Sequence, residues 1–401
     1  MQKMTVKSMK RLIGSILIIY TAMQSTPFYS SNLFVYVGLY ILSIVLLLLC
    51  GDIIAKNSYF TAFSVFWLIY GLVSIVWAVD MYLWFRNSAI LLLMTLSIII
   101  FTNILDSKEN LIFFSKVWAI TIGIASLVGW YEVVFNNYHF TISDNIAKYA
   151  DKNWPLFSFL NVNDFSTYLT ISLPIVLLWI KNEDRKSSRR LGYVIFLSSL
   201  LLIIYVISRA NLLAIAVGIA VLLMLKKAKF IIKNKYELAF IFILVLIVLV
   251  ITFSIGIVDK FIESFTYEEM RSDLLRVNLI KNGLRYLKDS NYLGIGAGNL
   301  EYYLPNFQYI NTYGMKYIHN WWAEVLVNFG VAVFIFYVIF WSKILLLNIR
   351  LSFSKCNNIN RYISMAVVVF FIAVISPSSI LLMKWLPVFT GFMVAASTMK
   401  L

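Results

Sequence analysis

Twelve apolar runs recur along this chain, and each is close to the length that a helix needs to cross a membrane. A helix of about 20 residues spans roughly 30 Å of hydrocarbon. Hydrophobic residues make up 61% of the chain and charged residues only 13%. The sequence therefore predicts an all-α, polytopic membrane protein whose spans cover 11–25, 32–50, 59–79, 87–105, 111–135, 162–180, 191–207, 210–225, 237–257, 322–342, 362–376 and 379–398.

We predict a single integral-membrane domain over residues 1–401, with one large extracytoplasmic loop at 258–321 that contains short helices. Loops longer than about 15 residues are usually functional or carry structure of their own. Within the loop, 267–290 has the pattern of an amphipathic helix, with an apolar stripe at Val277, Ile280, Leu284 and Leu287. Two interpretations stay open: a helix lying flat on the membrane surface, or a soluble cap helix.

The formal charge of +15 is explained by topology. Cytoplasmic loops of membrane proteins carry an excess of Lys and Arg. The basic residues concentrate in alternate short connections if both termini are cytoplasmic, and they would then attract anionic membrane lipids. Since they are scattered among several loops and form no single face, a nucleic-acid partner explains the charge poorly, and none is predicted. We predict a multi-pass protein of the bacterial cytoplasmic membrane.

The sequence predicts neither a metal nor a cofactor. Cys50 and Cys356 fall near cytoplasmic helix ends, where thiols stay reduced. The chain has two histidines, His139 and His319, and neither belongs to a cluster with metal-ligand spacing. Phosphate-cradling loops need a preceding strand and a following Lys, both of which the glycine-rich stretch 294–298 lacks.

Two polar features stand at the outer ends of predicted spans. His319 and Asn320 lead directly into an apolar helix, and Arg209 occupies a tight turn between two spans. Charged groups at the hydrocarbon boundary are rare and often functional. The structural alternatives are an interfacial His319 that hydrogen-bonds to backbone at a helix start capped by Asn320, and an Arg209 that snorkels to the headgroups. Arg86 is interpreted as an interface anchor, and His139 has no motif around it.

The order of several motifs resembles the O-antigen ligase and polysaccharide polymerase superfamily. The resemblance rests on these stretches: Ser74–Asp80, Asn163–Phe165, Ser208–Arg209, Arg276, the glycine-rich Gly294–Asn299, and His319–Asn320 with Glu324 and Gly330. It covers most of the chain, with a family-like core at 160–345. The polar motifs all fall on the same predicted side of the membrane.

The resemblance implies a membrane-embedded glycosyltransferase with a largely helical fold. Such enzymes take a glycan from a polyprenyl diphosphate on the outer face of the membrane and pass it to an acceptor hydroxyl. The resemblance implies no metal and no nucleotide sugar. A polymerase uses the next lipid-linked repeat unit as acceptor, whereas a ligase uses a lipid A core.

The chemistry of the same residues is compatible with this activity. A leaving diphosphate needs stabilisation of its growing charge, which the planar fork of arginine suits, so Arg209 and Arg276 are the predicted diphosphate ligands. His319 is the predicted general base for the attacking hydroxyl. Attack from the face opposite the diphosphate predicts an inverting reaction. Further predicted substrate contacts are Asn320, Asn163, Gly294, Gly296, Arg271, Arg285 and Glu324.

Three functional hypotheses remain open at this level. We expect a surface polysaccharide polymerase, because the outer segment is modest in length and offers no obvious platform for a bulky lipid A core. An O-antigen ligase is the alternative within the family, and a lipid-linked oligosaccharide flippase is the alternative from another class. The predicted partners are a polyprenyl-diphosphate-linked donor, a glycan or lipid-linked acceptor, membrane lipids, and a chain-length regulator.

Overall fold

A computed structural model describes residues 5–23, 33–49, 58–138, 150–227, 267–354, 358–379 and 381–399. These residues form thirteen α-helices and no strand, which confirms the all-α class. The helices are α1 Val6–Thr21, α2 Leu33–Leu49, α3 Tyr59–Val73, α4 Met81–Ile104, α5 Lys108–Phe135, α6 Val162–Asn182, α7 Lys186–Val206, α8 Arg209–Lys227, α9 Tyr267–Asp289, α10 Leu300–Asn306, α11 Trp321–Ser354, α12 Asn358–Ala373 and α13 Trp385–Thr398.

Within the described ranges, seven helices are long and apolar enough to cross a membrane: α3 with the 3₁₀ turn that follows it, α4, α5, α6, α7, α8 and α11. Helices α12 and α13 and most of α2 are apolar but shorter. The predicted span at 237–257 lies outside the described residues, as do His139 and the C-terminal Lys400 and Leu401. The count of twelve spans therefore stays a prediction.

The centre of the bundle consists of α6, α12 and α13, whose residues are buried almost without interruption. Large aromatic side chains fill the space between these helices and α11. The rings of Trp341 and Phe370 stack 4.3 Å apart, and the ring of Phe389 stacks near both, 5.5 Å from Phe370 and 6.0 Å from Trp341. Because lipid is as apolar as a side chain, this close packing, and not exclusion from water, is what favours association of the helices.

Helix α11 is not the single continuous span that the sequence predicted at 322–342. Gly330 has φ 78° and ψ 177°, which interrupts the helix a few turns after it begins. The part that follows, 331–354, is long enough to cross the hydrocarbon by itself, because a helix rises about 1.5 Å per residue. The first segment, 321–329, is therefore available to position groups at one end of the bundle.

The connection between the last two helices is longer than predicted. The predicted spans 362–376 and 379–398 left almost no residues between them. Helix α12 ends at Ala373, and α13 begins at Trp385. Most of the described residues between them are buried in protein. Irregular backbone is tolerated near a membrane where protein groups satisfy its polar atoms. We call residues 374–384 the inner loop, where "inner" means packed inside the protein and does not refer to a side of the membrane.

Helix α9 matches the predicted helix closely at its C-terminus, but only part of the predicted apolar stripe is buried: Leu287 is 4% exposed. Leu284 is 48% exposed, whereas the buried face carries Leu279, Asn282 and Tyr286. The amide oxygen of Asn282 accepts from Tyr309 N (2.8 Å) and Ile310 N (3.0 Å). A polar residue thus occupies the buried face because it supplies hydrogen bonds to the chain that crosses it, which a purely apolar pattern misses.

Candidate active site

At one end of the bundle, the starts of α6 and of the first segment of α11 meet the inner loop, and the start of α8 contacts α6. Ser378 N donates to Asp164 Oδ1 (2.8 Å), and Trp321 N donates to Val374 O (3.1 Å). Asn211, at the start of α8, donates to Ser166 Oγ of α6 (3.1 Å). The motifs around Asn163, Arg209 and His319, which are far apart in sequence, therefore lie at the same end, as their predicted sidedness required.

The glycine-rich loop 292–298 supplies hydrogen-bond partners for the backbone groups of α11 at its break. In an unbroken helix, the carbonyls of Val327 and Asn328 would accept from N–H groups one turn further along. Instead Val327 O accepts from Ile295 N (2.9 Å) and Asn328 O from Gly296 N (3.0 Å), while Val331 N donates to Tyr292 O (3.0 Å). The loop therefore fixes the direction in which the first segment of α11 points.

Two glycines make this backbone-to-backbone contact possible. A Cβ on Gly294 would lie 2.5 Å from Gly330 N, and a Cβ on Gly330 would collide with the backbone of Leu293. The φ and ψ of Gly330 also fall in a region that essentially only glycine occupies. The structure gives Gly294 and Gly296 this internal role, and their predicted contact with a glycan stays a prediction.

Replacing Gly330 by alanine should destabilise the protein by about 3 kcal/mol, the sum of backbone strain and overpacking. Gly314→Ala is the matched control, because Gly314 also has a positive φ, of 74°, but no heavy atom lies within 4 Å of the added Cβ. Thermal unfolding in detergent should show a large fall in midpoint for Gly330→Ala and a small one for Gly314→Ala. Equal midpoints for the two variants would refute the close-contact explanation.

The same loop and Asn299, which follows it, contact Ser74–Asp80, another of the motifs on which the family resemblance rests. The side chain of Asn299 accepts from Val79 N (2.9 Å) and Asp80 N (2.8 Å), and Ala297 N donates to Ser74 Oγ (3.0 Å). Asp80 in turn caps α4 through Leu83 N (2.9 Å). Two motifs from distant parts of the chain thus form one rigid support, which the sequence alone did not reveal.

His319 stands immediately before the first segment of α11, in a left-handed conformation with φ 54°. The residue retains partial exposure, but its Nδ1 atom is buried and has no hydrogen-bond partner among the described residues. Burial disfavours the charged imidazolium and the nearby charge of Arg276 repels it, which lowers the pKa of His319 to about 3. The imidazole is therefore neutral near pH 7.

Asn320 is the N-cap of α11, as the structural alternative proposed. Its Oδ1 accepts from Ala323 N (3.1 Å), and the residue is only 4% exposed. The same alternative expects a hydrogen bond between His319 and the backbone. The Nδ1 atom of His319 makes no such bond to the described backbone. Since the cap uses only the side-chain oxygen of Asn320, the amide nitrogen is left for other contacts. The cap also holds the preceding His319 at the start of the helix.

The arginines of α9 differ in position. Arg276 is partly buried and acts electrostatically on His319. Arg285 follows about two and a half helical turns later, which puts it on the opposite face. Its guanidinium lies 5.3 Å from the ring centre of Tyr309. Arg271 belongs to the same helix, and the structure does not describe its side chain.

Arg209 is the first residue of α8 and is exposed, and Asn163 is half-buried in the first turn of α6. The residues beside them form a buried polar network. Asn211 is fully buried and donates to Ser208 Oγ (2.9 Å), and Thr167 Oγ1 lies 3.4 Å from Asn211 Oδ1. The network fixes the turn that carries Arg209 at the same end as His319.

A second polar cluster lies beside the site, and sequence reasoning missed most of it. Arg86 pairs with Glu301 at 2.5 Å, with both side chains about four-fifths buried. Tyr317 donates to Glu301 Oε1 (3.4 Å), and burial together with this carboxylate raises the pKa of Tyr317 to about 12. The interpretation of Arg86 as an interface anchor needs correction, because its main partner is a buried carboxylate.

Glu324 lines the same cluster from the first turn of α11. It is 8% exposed, and Ser379 Oγ of the inner loop donates to its Oε1 (2.5 Å). The space between these side chains measures about 10 Å³, roughly what one water molecule needs. Arg86 and Glu301 are far apart in sequence, so no local pattern signalled their pairing; only Glu324, through its place in the His319 motif, was detectable from the sequence.

Among the described residues, no group of three or more His, Cys, Asp and Glu side chains is arranged to hold a metal ion. The site itself supplies several groups for chemistry. It combines a neutral imidazole, guanidinium groups at the same end of the bundle, and buried carboxylates held by hydroxyl donors.

Comparison with known proteins gives two matches. Residues 193–338 match the family described as O-antigen ligase, a stretch that includes α8, α9, the glycine-rich loop and the His319 motif. The teichuronic acid biosynthesis protein TuaE of Bacillus subtilis (strain 168) is 29% identical over 350 residues, covering 83% of this chain and 70% of the relative. Together these matches support the resemblance of the chain to the O-antigen ligase and polysaccharide polymerase superfamily, and they support a ligase- or polymerase-type role in making surface polysaccharide.

Proposed function

We propose that the protein is a metal-independent, inverting glycosyltransferase that polymerises polyprenyl-diphosphate-linked oligosaccharide repeat units on the outer face of the cytoplasmic membrane. The observation that carries the proposal is the neutral imidazole of His319, buried at Nδ1 without a partner among the described residues and under the charge of Arg276. This pair lies at the end of the bundle where the other family motifs gather.

His319 is the proposed general base. A free base with a pKa near 3 takes a proton poorly. Burial is the larger cause of this low pKa, and the charge of Arg276 is the smaller one. A diphosphate bound at Arg276 would cancel the smaller cause and add negative charge, which favours the imidazolium. Binding of the donor thus raises the basicity of His319 at the moment when the acceptor hydroxyl must lose its proton.

Arg276 and Arg209 are the proposed diphosphate ligands. The acceptor oxygen attacks the anomeric carbon, the bond from that carbon to the diphosphate oxygen breaks, and the hydroxyl proton passes to His319. The polyprenyl diphosphate leaves with more negative charge than it carried as an ester, and guanidinium groups stabilise this charge as it develops. Attack opposite the leaving group inverts the anomeric configuration.

The remaining predicted residues have proposed supporting roles. The amide nitrogen of Asn320 and the half-buried Asn163 supply hydrogen bonds to sugar hydroxyls. Glu324, which accepts from Ser379, contacts the glycan through its carboxylate. Gly294 and Gly296 act through the support they give to α11, and Arg271 and Arg285 are secondary candidates for the diphosphate.

Two alternatives remain, an O-antigen ligase with a lipid A core acceptor and a lipid-linked oligosaccharide flippase. The name of the relative, which refers to teichuronic acid biosynthesis, supports a polymer-building role. The broken helix α11 favours the flippase alternative, since interrupted helices are common in transporters. The flippase alternative is disfavoured because the polar motifs gather at one end of the bundle, whereas a transporter would have its substrate site at mid-membrane.

A strain that lacks the gene separates these alternatives through the profile of its surface glycan. We expect single repeat units in place of long chains, restored to long chains by the wild-type protein and not by His319→Ala. Long chains that accumulate on the polyprenyl carrier would instead indicate a ligase. An unchanged profile would reject the glycosyltransferase proposal and favour a transporter or a scaffold.

A further inference from the structure

A cavity with a concentration of positive charge lies at the opposite end of the bundle from His319. It measures about 650 Å³ and lies where α6 and α8 end and where α7 and α12 begin. Helix α6 separates the two ends: Asp164 in its first turn meets the inner loop, and Lys181 near its last residue lines the cavity. With 21 residues, α6 is about 30 Å long, the thickness of the hydrocarbon core.

Four cations line this cavity, one from each helix: Lys181, Arg189, Lys226 and Arg361. None of the described residues that line it is acidic. The nearest acidic side chain in sequence, Glu183, is directed to Trp179 Nε1 (3.1 Å) and Lys116 (3.7 Å). Positive groups that share one cavity repel each other, so an anion bound among them would stabilise the structure.

Arg361 gives the most specific indication of a ligand. Its Nη1 donates to Asn358 Oδ1 (3.2 Å), which fixes the orientation of the guanidinium. Its Nε is buried and has no acceptor in the part of the chain that the structure describes. A buried N–H without an acceptor is costly, and an oriented guanidinium matches phosphate oxygens in a two-point contact.

The rest of the lining is suited to a lipid. Leu177, Ile180 and Leu222 form an apolar wall, and Tyr193 and Tyr362 add hydroxyl groups beside the cations. The volume falls within the range of sites for small ligands, about 300–1,000 Å³. Basic pockets between membrane helices at the cytoplasmic side bind anionic headgroups.

We propose that this cavity is a binding site for a phosphate ester, supplied by an anionic phospholipid whose headgroup contacts Arg189 and Arg361 and whose chain lies on the apolar wall. The site is separate from glycosyl transfer, because it lies at the other end of α6 from the candidate active site. Its ligand stabilises the junction of four helices, two of which, α6 and α8, also carry Asn163 and Arg209.

The test compares the full-length protein in nanodiscs of phosphatidylcholine alone with nanodiscs in which half of that lipid is replaced by phosphatidylglycerol. The variants are Arg189→Gln and Arg361→Gln. The matched control is Arg190→Gln, which removes the neighbouring exposed cation of α7 that does not line the cavity. The readouts are the midpoint of thermal unfolding and the lipid retained in native mass spectrometry. A third arm adds inorganic phosphate to phosphatidylcholine nanodiscs.

We expect phosphatidylglycerol to raise the midpoint of the wild type and of Arg190→Gln by several degrees. The shift should fall by at least half in Arg189→Gln and Arg361→Gln, with loss of retained phosphatidylglycerol. If inorganic phosphate reproduces the shift with the same dependence on the variants, the site is supported and its ligand is soluble. An absent shift in the wild type, or equal shifts in all four proteins, would overturn the proposal. Should Arg361→Gln fail to fold, Arg189→Gln and lipid retention decide.

Discussion

Replacing His319 by alanine should reduce glycosyl transfer by about 10²–10⁴-fold, the usual contribution of a general base. The chain has only one other histidine, His139. The neutral state of His319 leaves its ring able to accept a proton, and no described group makes a hydrogen bond to Nδ1. The measurement is the rate of chain extension by the purified variant, normalised to folded protein.

Because His319 has a positive φ, alanine adds backbone strain to the loss of the base. His319→Asn separates the two effects, since asparagine tolerates the left-handed conformation but lacks a basic nitrogen. We expect it to be as inactive as His319→Ala and more stable. His139→Ala is the control and should keep wild-type activity. Near-normal transfer by His319→Asn would remove His319 from the mechanism.

Replacing Arg276 by lysine should lower kcat/KM by about 10²-fold, comparable to the loss of one preorganised donor. Lysine keeps the charge but loses the planar fork that contacts two phosphate oxygens. The charge is also what helps to depress the pKa of His319, so Arg276→Gln should raise the pKa of the free histidine toward its ordinary value. The measurements are steady-state rates and a histidine titration by NMR.

Arg190→Lys is the control for this substitution, because Arg190 lies at the other end of the bundle and is exposed. Arg285→Lys tests the competing assignment on the same helix. If Arg276→Lys retained activity while Arg285→Lys lost it, the diphosphate would be bound by the face of α9 that carries Arg285 against Tyr309, and the proposed pairing of Arg276 with His319 would be wrong.

The fold class was predictable because lipid imposes simple constraints on length and hydropathy. The all-α architecture, the helix at 267–289 and the sidedness of Asn163, Arg209 and His319 followed from apolar runs and short connections. The break at Gly330 did not, since a glycine inside an apolar run has no distinctive local signal. It is explained by the loop 292–298, which supplies hydrogen bonds from a separate part of the chain.

The candidate site was predictable where its residues belong to one short motif, and not where it depends on distant pairs. His319, Asn320 and Glu324 were found because they adjoin one another in the chain. The long-range contacts could not be found in this way; they are the pairing of Arg86 with Glu301, the support of Asp80 by Asn299 and the contact of Ser378 with Asp164. These partners follow only from the packing of the helices.

Chain growth by the purified protein in nanodiscs is the most direct test of the proposed activity. A single synthetic polyprenyl-diphosphate-linked repeat unit is the only substrate, in the presence of a metal chelator and without nucleotide sugar. We expect a ladder of longer glycans on the carrier and release of one polyprenyl diphosphate for each new bond, both lost in His319→Asn. An unchanged substrate, or growth that needs an added metal or that His319→Asn sustains, would contradict the proposed activity.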